Sequence, residues 1–438
     1  MRTRTFALGV AVLAAFAPCR APAADVVPAW AKNRDERLPQ DRAEHLAKLG
    51  VVDWHAAGVL GKGVKVAVLD SGFRGYKDHL GKTLPATVTV RSARKDGNME
   101  AKDSQHGILC GEVVHAIAPD AELLFANWDG DSPDSFLDAV RWAREQGAKV
   151  ITCSVVSPSW SDGEGNGPIH RRLSAILGDG SNPADPLFFS CAGNMAERHW
   201  AGTFAPGAGG YHQWADKVVL NSVSPWGDDR VSLDVCWSDP DARYRVEVVN
   251  PTTGEPVAGC TYKETADPYS AVARFTPKAG QEYAVRVRQE AGVPGKFHFT
   301  SLAAYLGRVK NVGSIPFPGD GPEVITVGAI TLDGRRASFS ACGPNSRLPK
   351  PDVVAPIPFG TFMRDRPFSG TSCATPQAAA VAALCWSRHT TWDAARLRSY
   401  VTTRAQDLGP AGHDYETGFG AVHLPAPVLQ LRAPISRK

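Results

Sequence analysis

The chain has no late apolar run long enough to cross a membrane, no block of charge of one sign, no internal repeat and no low-complexity segment. The first absence excludes a membrane-spanning helix in the mature protein. Lys and Arg total 48 against 45 Asp and Glu, an evenly spread net charge of +3. That balance makes no case for nucleic acid or an anionic membrane as a partner. Two hydrolase signatures are missing as well. Without HExxH there is no zinc-hydrolase helix, and without Gly-x-Ser-x-Gly there is no lipase or esterase elbow. Scattered acids such as Glu36, Asp41 and Glu44 lack the spacing of a calcium loop.

What is present begins with an address. Arg2 and Arg4 precede the apolar run Phe6 to Phe16, and Ala21-Pro22-Ala23 offers small residues for cleavage. The run would rise only about 16 Å as a helix, too short for an anchor. Residues 1–23 therefore read as a signal peptide and the protein as secreted, to the medium or cell envelope. Pro18 stands where a lipoprotein signal at Cys19 wants a small residue. Losing Cys19 leaves eight of nine cysteines, an even number compatible with disulfides. Cys110, Cys153, Cys191, Cys373 and Cys385 nevertheless lie in apolar patterns, where cysteine behaves as a small buried hydrophobe. Hydrophobic residues at 43% and charged residues at 21% supply a sizeable core.

Gly63 to Leu69 (GVKVAVL) reads as a strand buried on both faces, ending in a turn at Asp70-Ser71-Gly72. Further strands read at Glu122 to Trp128, Lys149 to Val156 and Leu187 to Ala192. Ser132-Pro133 is a sound helix start, and Phe136, Val140 and Ala143 share one face of the helix that follows. Alternating strands and helices predict an α/β fold with a doubly wound, mostly parallel sheet. From Val231 the period changes to two, in Val231, Leu233, Val235, Trp237, then Tyr244, Val246, Val248, then Tyr283, Val285, Val287, then Phe297, Phe299. This predicts an inserted all-β sandwich at about 222–306, separately cored and removable. It divides the α/β domain into 24–221 and 307–428, with a tail at 429–438. The α/β pattern resumes at Glu323 to Ile330 and closes on an Ala-rich helix from Ser372 to about Arg388. Cys236 and Cys260 fall on strands either side of the Asn250 to Gly254 turn, as a disulfide or as two buried thiols.

The most specific string is Gly370-Thr371-Ser372-Cys373-Ala374-Thr375-Pro376, a serine at the start of that last helix. A serine so placed has an exposed hydroxyl and a backbone N–H aimed at an incoming oxyanion. Here the chain resembles the subtilase family, whose nucleophile motif reads GTSxAxP. Asp70-Ser71-Gly72 resembles the family's aspartate motif and His106-Gly107 the start of its histidine helix. The order Asp, His, Ser is the family's order. Ala192-Gly193-Asn194 resembles the segment carrying its oxyanion asparagine. Ala337 to Ser340, Lys350 to Pro356 and Gly418 to Gly420 are further similar segments, so the likeness spans roughly 50 to 200 and 310 to 425.

The resemblance implies a subtilisin-like fold and a serine endopeptidase acting on polypeptides through an acyl-enzyme. Ser372 would be the nucleophile, His106 the base, Asp70 its orienting partner and Asn194 the oxyanion donor. No cofactor is expected for the chemistry. Structural calcium is a family-based expectation with no site located, and a monomer is expected. Two departures stand out. The helix reads HGILCGEVV where the family usually has small residues and a threonine, and only some 25 to 40 residues separate the signal peptide from the catalytic domain, so autoprocessing of the usual kind is not expected. A noncatalytic protein on the same fold is the competing reading, supported only by that helix. Val155 and Val156 suggest an apolar primary pocket. His199 and His212, beside Trp200 and Trp214, read as structural rather than as a metal or carbohydrate site.

Overall fold

A computed structural model of the protein describes residues 40–259, 261–262, 270–345, 348–364 and 366–427. Residues 1–23, read from the sequence as a signal peptide, Cys260 and the tail at 429–438 lie outside the described residues. Two short helices, α1 (Gln40–Lys48) and α2 (Val51–Ala56), precede the first strand. Five strands follow, β1 (Lys65–Leu69), β2 (Thr89–Ser92), β3 (Glu122–Asn127), β4 (Val150–Cys153) and β5 (Leu187–Cys191). Between them stand α3 (His106–Ile117), α4 (Pro133–Glu145) and α5 (Pro168–Leu177).

The chain then leaves this sheet for ten antiparallel strands: β6 (His199–Thr203), β7 (Asn221–Pro225), β8 (Val231–Trp237), β9 (Arg243–Val249), β10 (Pro256–Gly259), β11 (Thr261–Tyr262), β12 (Ser270–Phe275), β13 (Tyr283–Ala291), β14 (Lys296–Leu302) and β15 (Ala304–Leu306). It returns as β16 (Ile325–Thr331) and β17 (Val353–Ile357), and ends with α6 (Thr371–Arg388) and α7 (Ala394–Thr403).

The first sheet has seven parallel strands in the order β17-β16-β5-β4-β1-β3-β2. Its central strands alternate between two helical layers. Val66 and Val68 pack with α3 and α6, whereas Ala67 and Leu69 pack with α4 and α5. Both faces are covered, which is why GVKVAVL reads as continuous apolar sequence rather than as alternation. The expected cap also forms, Ser132 accepting from the Ser135 N–H with Pro133 in the first turn. Register places Leu69 beside Ala126 and Cys153, so Asp70 follows at the carboxyl edge of the sheet.

The ten antiparallel strands form two five-stranded sheets around a second apolar core that includes Trp200, Trp237, Tyr244 and Phe297. Two details differ from the period-two reading. β6 pairs with β14, so the antiparallel layer reaches upstream of 222 to His199. In β8 the polar positions Ser232, Asp234 and Cys236 are buried along with the apolar ones. They face the α/β part rather than water, because the segment Pro158–Trp160 packs on β8 and β12. Alternation marks which face is apolar, not which face is wet. Cys236 is a buried thiol outside any disulfide, as are Cys110, Cys153, Cys191, Cys342, Cys373 and Cys385.

Candidate active site

Asp70 is fully buried at the end of β1, and its Oδ1 accepts the backbone N–H groups of Ser71 (2.8 Å) and Gly72 (2.9 Å). That turn spends one carboxylate oxygen on the backbone and leaves the other for a side chain. Oδ2 meets His106 Nδ1 at 2.7 Å. His106 opens α3, and its ring is partly exposed on the side away from the aspartate. Close approach of helix and turn demands glycine. A Cβ at Gly107 would meet Phe73 Cε1 at 2.6 Å and Asp70 Cβ at 2.8 Å, and one at Gly72 would meet Ser104 Oγ at 2.5 Å. Phe368 lies edge-on to the imidazole with centroids 5.6 Å apart.

Ser372 stands in the first turn of α6, where a backbone N–H has no intrahelical acceptor. The nearby Pro376 explains a second contact. A proline has no N–H to donate to the carbonyl four residues earlier, so the Ser372 carbonyl takes Ser154 Oγ (3.2 Å) and Cys110 Sγ (3.6 Å) instead. Ser372 Oγ in turn donates to the Ser154 carbonyl at 3.3 Å. Ser154, just past β4, thus holds Ser372 at two points. No local sequence signal marks Ser154 itself; only its neighbours Val155 and Val156 stand out, as apolar pocket residues.

Asn194 completes the group from the turn after β5. Its Oδ1 accepts the Thr371 N–H and hydroxyl, both at 3.0 Å. Its Nδ2 has no protein partner among the described residues, and Asn194 lines the same open cleft of about 790 Å³ as His106 and Ser372. The four residues singled out in the sequence therefore converge. Val155 and Val156 line an adjacent depression of about 440 Å³ that also holds Trp128, Lys102 and Arg94.

Burial presses the His106 imidazolium toward losing its proton, but the Asp70 charge and hydrogen bond outweigh this and raise its pKa, against weaker opposition from Lys102 and Arg364. Asp70, His106 and Cys110 are also the one grouping of three potential metal ligands among the described residues, their donor atoms lying within 4.8 Å of one another. The set fits proton transfer better than a metal. Asp70 and His106 already satisfy each other, and burial holds the Cys110 thiol far above its usual pKa, in its protonated form.

The two histidines set aside as structural are buried in the antiparallel part. His199 Nδ1 lies 2.8 Å from the Lys310 carbonyl and its Nε2 3.0 Å from His298 Nδ1. His212 Nδ1 accepts the Ala205 N–H. Burial lowers them to about 3 and about 4, with His298 adding to the shift of His199, so both are neutral near pH 7.

A doubly wound parallel sheet with an aspartate past a central strand, a histidine opening one helix and a serine in the first turn of a later helix is the arrangement of the subtilisin-like α/β proteins. The sequence profile described as the Subtilase family matches residues 61–215 and 288–420, well over half of the chain. The chain belongs to the subtilase family. Between the two matched stretches stand β7 to β12 and the start of β13. Subtilisin E of Bacillus subtilis (strain 168) is 36% identical over 135 residues, 28% of this chain and 32% of that one. M-protease of Shouchella clausii (strain KSM-K16) is 30% identical over 136 residues, 31% and 33% respectively. The matches thus span about a third of the length of these curated relatives. Among solved structures, the CspB protease of Clostridium perfringens superposes with a TM-score of 0.61 at 17% identity, covering 88% of this chain and 95% of that one. No helix among the described residues is long and apolar enough to cross a membrane.

Proposed function

We propose that the protein is an exported serine endopeptidase that cleaves polypeptides through an acyl-enzyme, with Ser372 as nucleophile. The observation that carries this reading is the 2.7 Å contact of His106 Nδ1 with the buried Asp70, in a cleft shared with Ser372 and Asn194. A serine hydroxyl is a poor nucleophile near pH 7 and needs a base. Asp70 fixes the imidazole so that Nε2 is the free nitrogen, and rotation of the Ser372 hydroxyl away from the Ser154 carbonyl presents its proton to that nitrogen. Attack forms the bond from Ser372 Oγ to the scissile carbon, and the oxygen becomes an anion.

The Ser372 N–H and Asn194 Nδ2 receive that charge, both being preorganised donors. His106 then gives its proton to the leaving amine, and water, deprotonated by the same imidazole, releases the acyl group. The test is labelling with a fluorophosphonate probe alongside hydrolysis of a chromogenic peptide. Intact protein is expected to react at Ser372, and Ser372→Ala to lose both labelling and turnover while melting at an unchanged temperature. Undiminished turnover in Ser372→Ala would sink the assignment.

A further inference from the structure

Asn194 is held from two sides. Its side-chain oxygen is tied to Thr371, and its backbone carbonyl accepts two hydrogen bonds from one guanidinium, Arg198 Nε at 3.0 Å and Arg198 Nη2. Arg198 is only 7% exposed and has no carboxylate partner among the described residues. A buried cation with no carboxylate in direct contact is unfavourable unless its hydrogen bonds and surroundings compensate. Here the compensation comes from the antiparallel part of the molecule. The Trp226 ring, just past β7, covers the guanidinium at 4.5 Å, and the Arg198 carbonyl accepts the Ser301 N–H from β14 at 2.9 Å. Trp226 is itself fixed by its backbone N–H, which donates to the Ala303 carbonyl (2.9 Å), and by the Tyr305 ring, 5.3 Å away on β15.

We infer that Arg198, backed by Trp226, is a positioning residue by which the antiparallel sheets set the oxyanion-facing amide of Asn194. This rests on the catalytic reading of Asn194 above. The two planar donors and the stacked face require arginine, since lysine supplies a single point charge with neither. If the clamp loosens, Asn194 turns about its Thr371 contacts and Nδ2 leaves the position where negative charge develops. Misplacement of a catalytic group by about 1 Å is enough to cost up to 100-fold in rate.

The experiment uses full-length protein labelled with 15N-asparagine, in which the Asn194 side-chain amide signal is identified by its loss in Asn194→Ala. In Arg198→Lys and in Trp226→Ala that signal is expected to shift, and kcat on a chromogenic peptide to fall about tenfold with KM changed less than about twofold. In an Asn194→Ala background neither substitution is expected to lower kcat by more than about twofold, which a general structural role would not reproduce. Equal losses with and without Asn194, or an unmoved amide signal, overturn the clamp. Should Arg198→Lys fail to fold, Trp226→Ala decides alone, because that ring is 38% exposed and its removal spares the core. Failure of the catalytic reading shows separately, as wild-type protein inert to fluorophosphonate, while the amide signal still decides the clamp.

Discussion

His106 sits where opposing influences act on one proton. Burial lowers its pKa, Asp70 raises it by charge and hydrogen bond, and Lys102 and Arg364 lower it again, with a net rise above 6.5. In the proposed mechanism the imidazole must be neutral to accept the Ser372 proton, so kcat/KM is expected to fall as pH drops through that raised value. Lys102→Gln removes one lowering influence, raises the histidine further, and moves the acidic limb to higher pH. A limb that stays in place or moves to lower pH would contradict this. Asn194→Ala is expected to cut kcat by about 100- to 1000-fold, a magnitude established for a subtilisin and carried over here, with little change in KM. The amide acts on charge that exists only in the transition state, so steady-state kinetics showing an effect confined to KM would remove Asn194 from the role.

At the level of elements, α3 and α6 decide whether the site assembles. α3 departs from the family pattern as HGILCGEVV, and Glu112 accounts for part of the difference. This buried carboxylate pairs with Arg42 of α1 and accepts the Phe362 N–H at 2.7 Å and the Thr361 hydroxyl. The histidine helix is thus braced from the amino-terminal segment, a long-range pairing with no local sequence signal. At its other end α3 presses on the turn after β1 through Gly107, where an added methyl group overlaps Phe73 and Asp70. Gly107→Ala is expected to destabilise the fold by about 1–3 kcal/mol and to lower kcat by displacing His106. Gly130→Ala, with nothing within 4 Å of the new methyl group, serves as the control and should be neutral within about 0.5 kcal/mol. Chemical denaturation and turnover of the pair check both.

For the molecule as a whole, the two sets of sheets share more than a linker. Ser238 donates to Asp162 at 2.9 Å, His298 Nε2 and the Lys296 ammonium contact Glu164, and Arg198 joins Trp226 to Asn194. The sequence favoured a unit that could be cut away. With β6 in the second core, replacing 222–306 by a Gly/Ser linker would leave Trp200 and Trp214 without their partners and Arg198 without its cover. The shortened protein is expected to lose solubility and to turn over even a small peptide more slowly. Full activity on that peptide would show the division to be clean. A second whole-molecule property is set by His170, held between Asp320 (3.1 Å) and Glu323 (2.5 Å) inside the α/β part. Burial disfavours its charge, but Asp320 and then Glu323 raise it to about 10. Its folded pKa lies above the unfolded value, so its contribution to stability is complete below about pH 6.5 and is lost as pH rises toward about 10. His170→Gln should flatten the decline of unfolding free energy across that window, measured by denaturant titration.

The residues of the site and the strands beneath them were legible because their signals are local. GVKVAVL ends where the sheet ends, Gly370 to Pro376 fixes a turn and a helix start within seven residues, and a buried parallel strand needs no partner in view to be recognised. The period-two strands were legible for the same reason, with Val246 and Val248 buried as the alternation implies. What the sequence left open concerns groups distant along the chain. Ser154 against Ser372, Arg42 against Glu112, and Arg198 between Asn194 and Trp226 are pairings that only the folded chain brings within hydrogen-bond reach. The same is true of β8, whose polar face carries no mark that the α/β part will cover it. Periodicity and turn chemistry specify elements, while the contacts that hold Ser372, His106 and Asn194 in register come from tertiary packing.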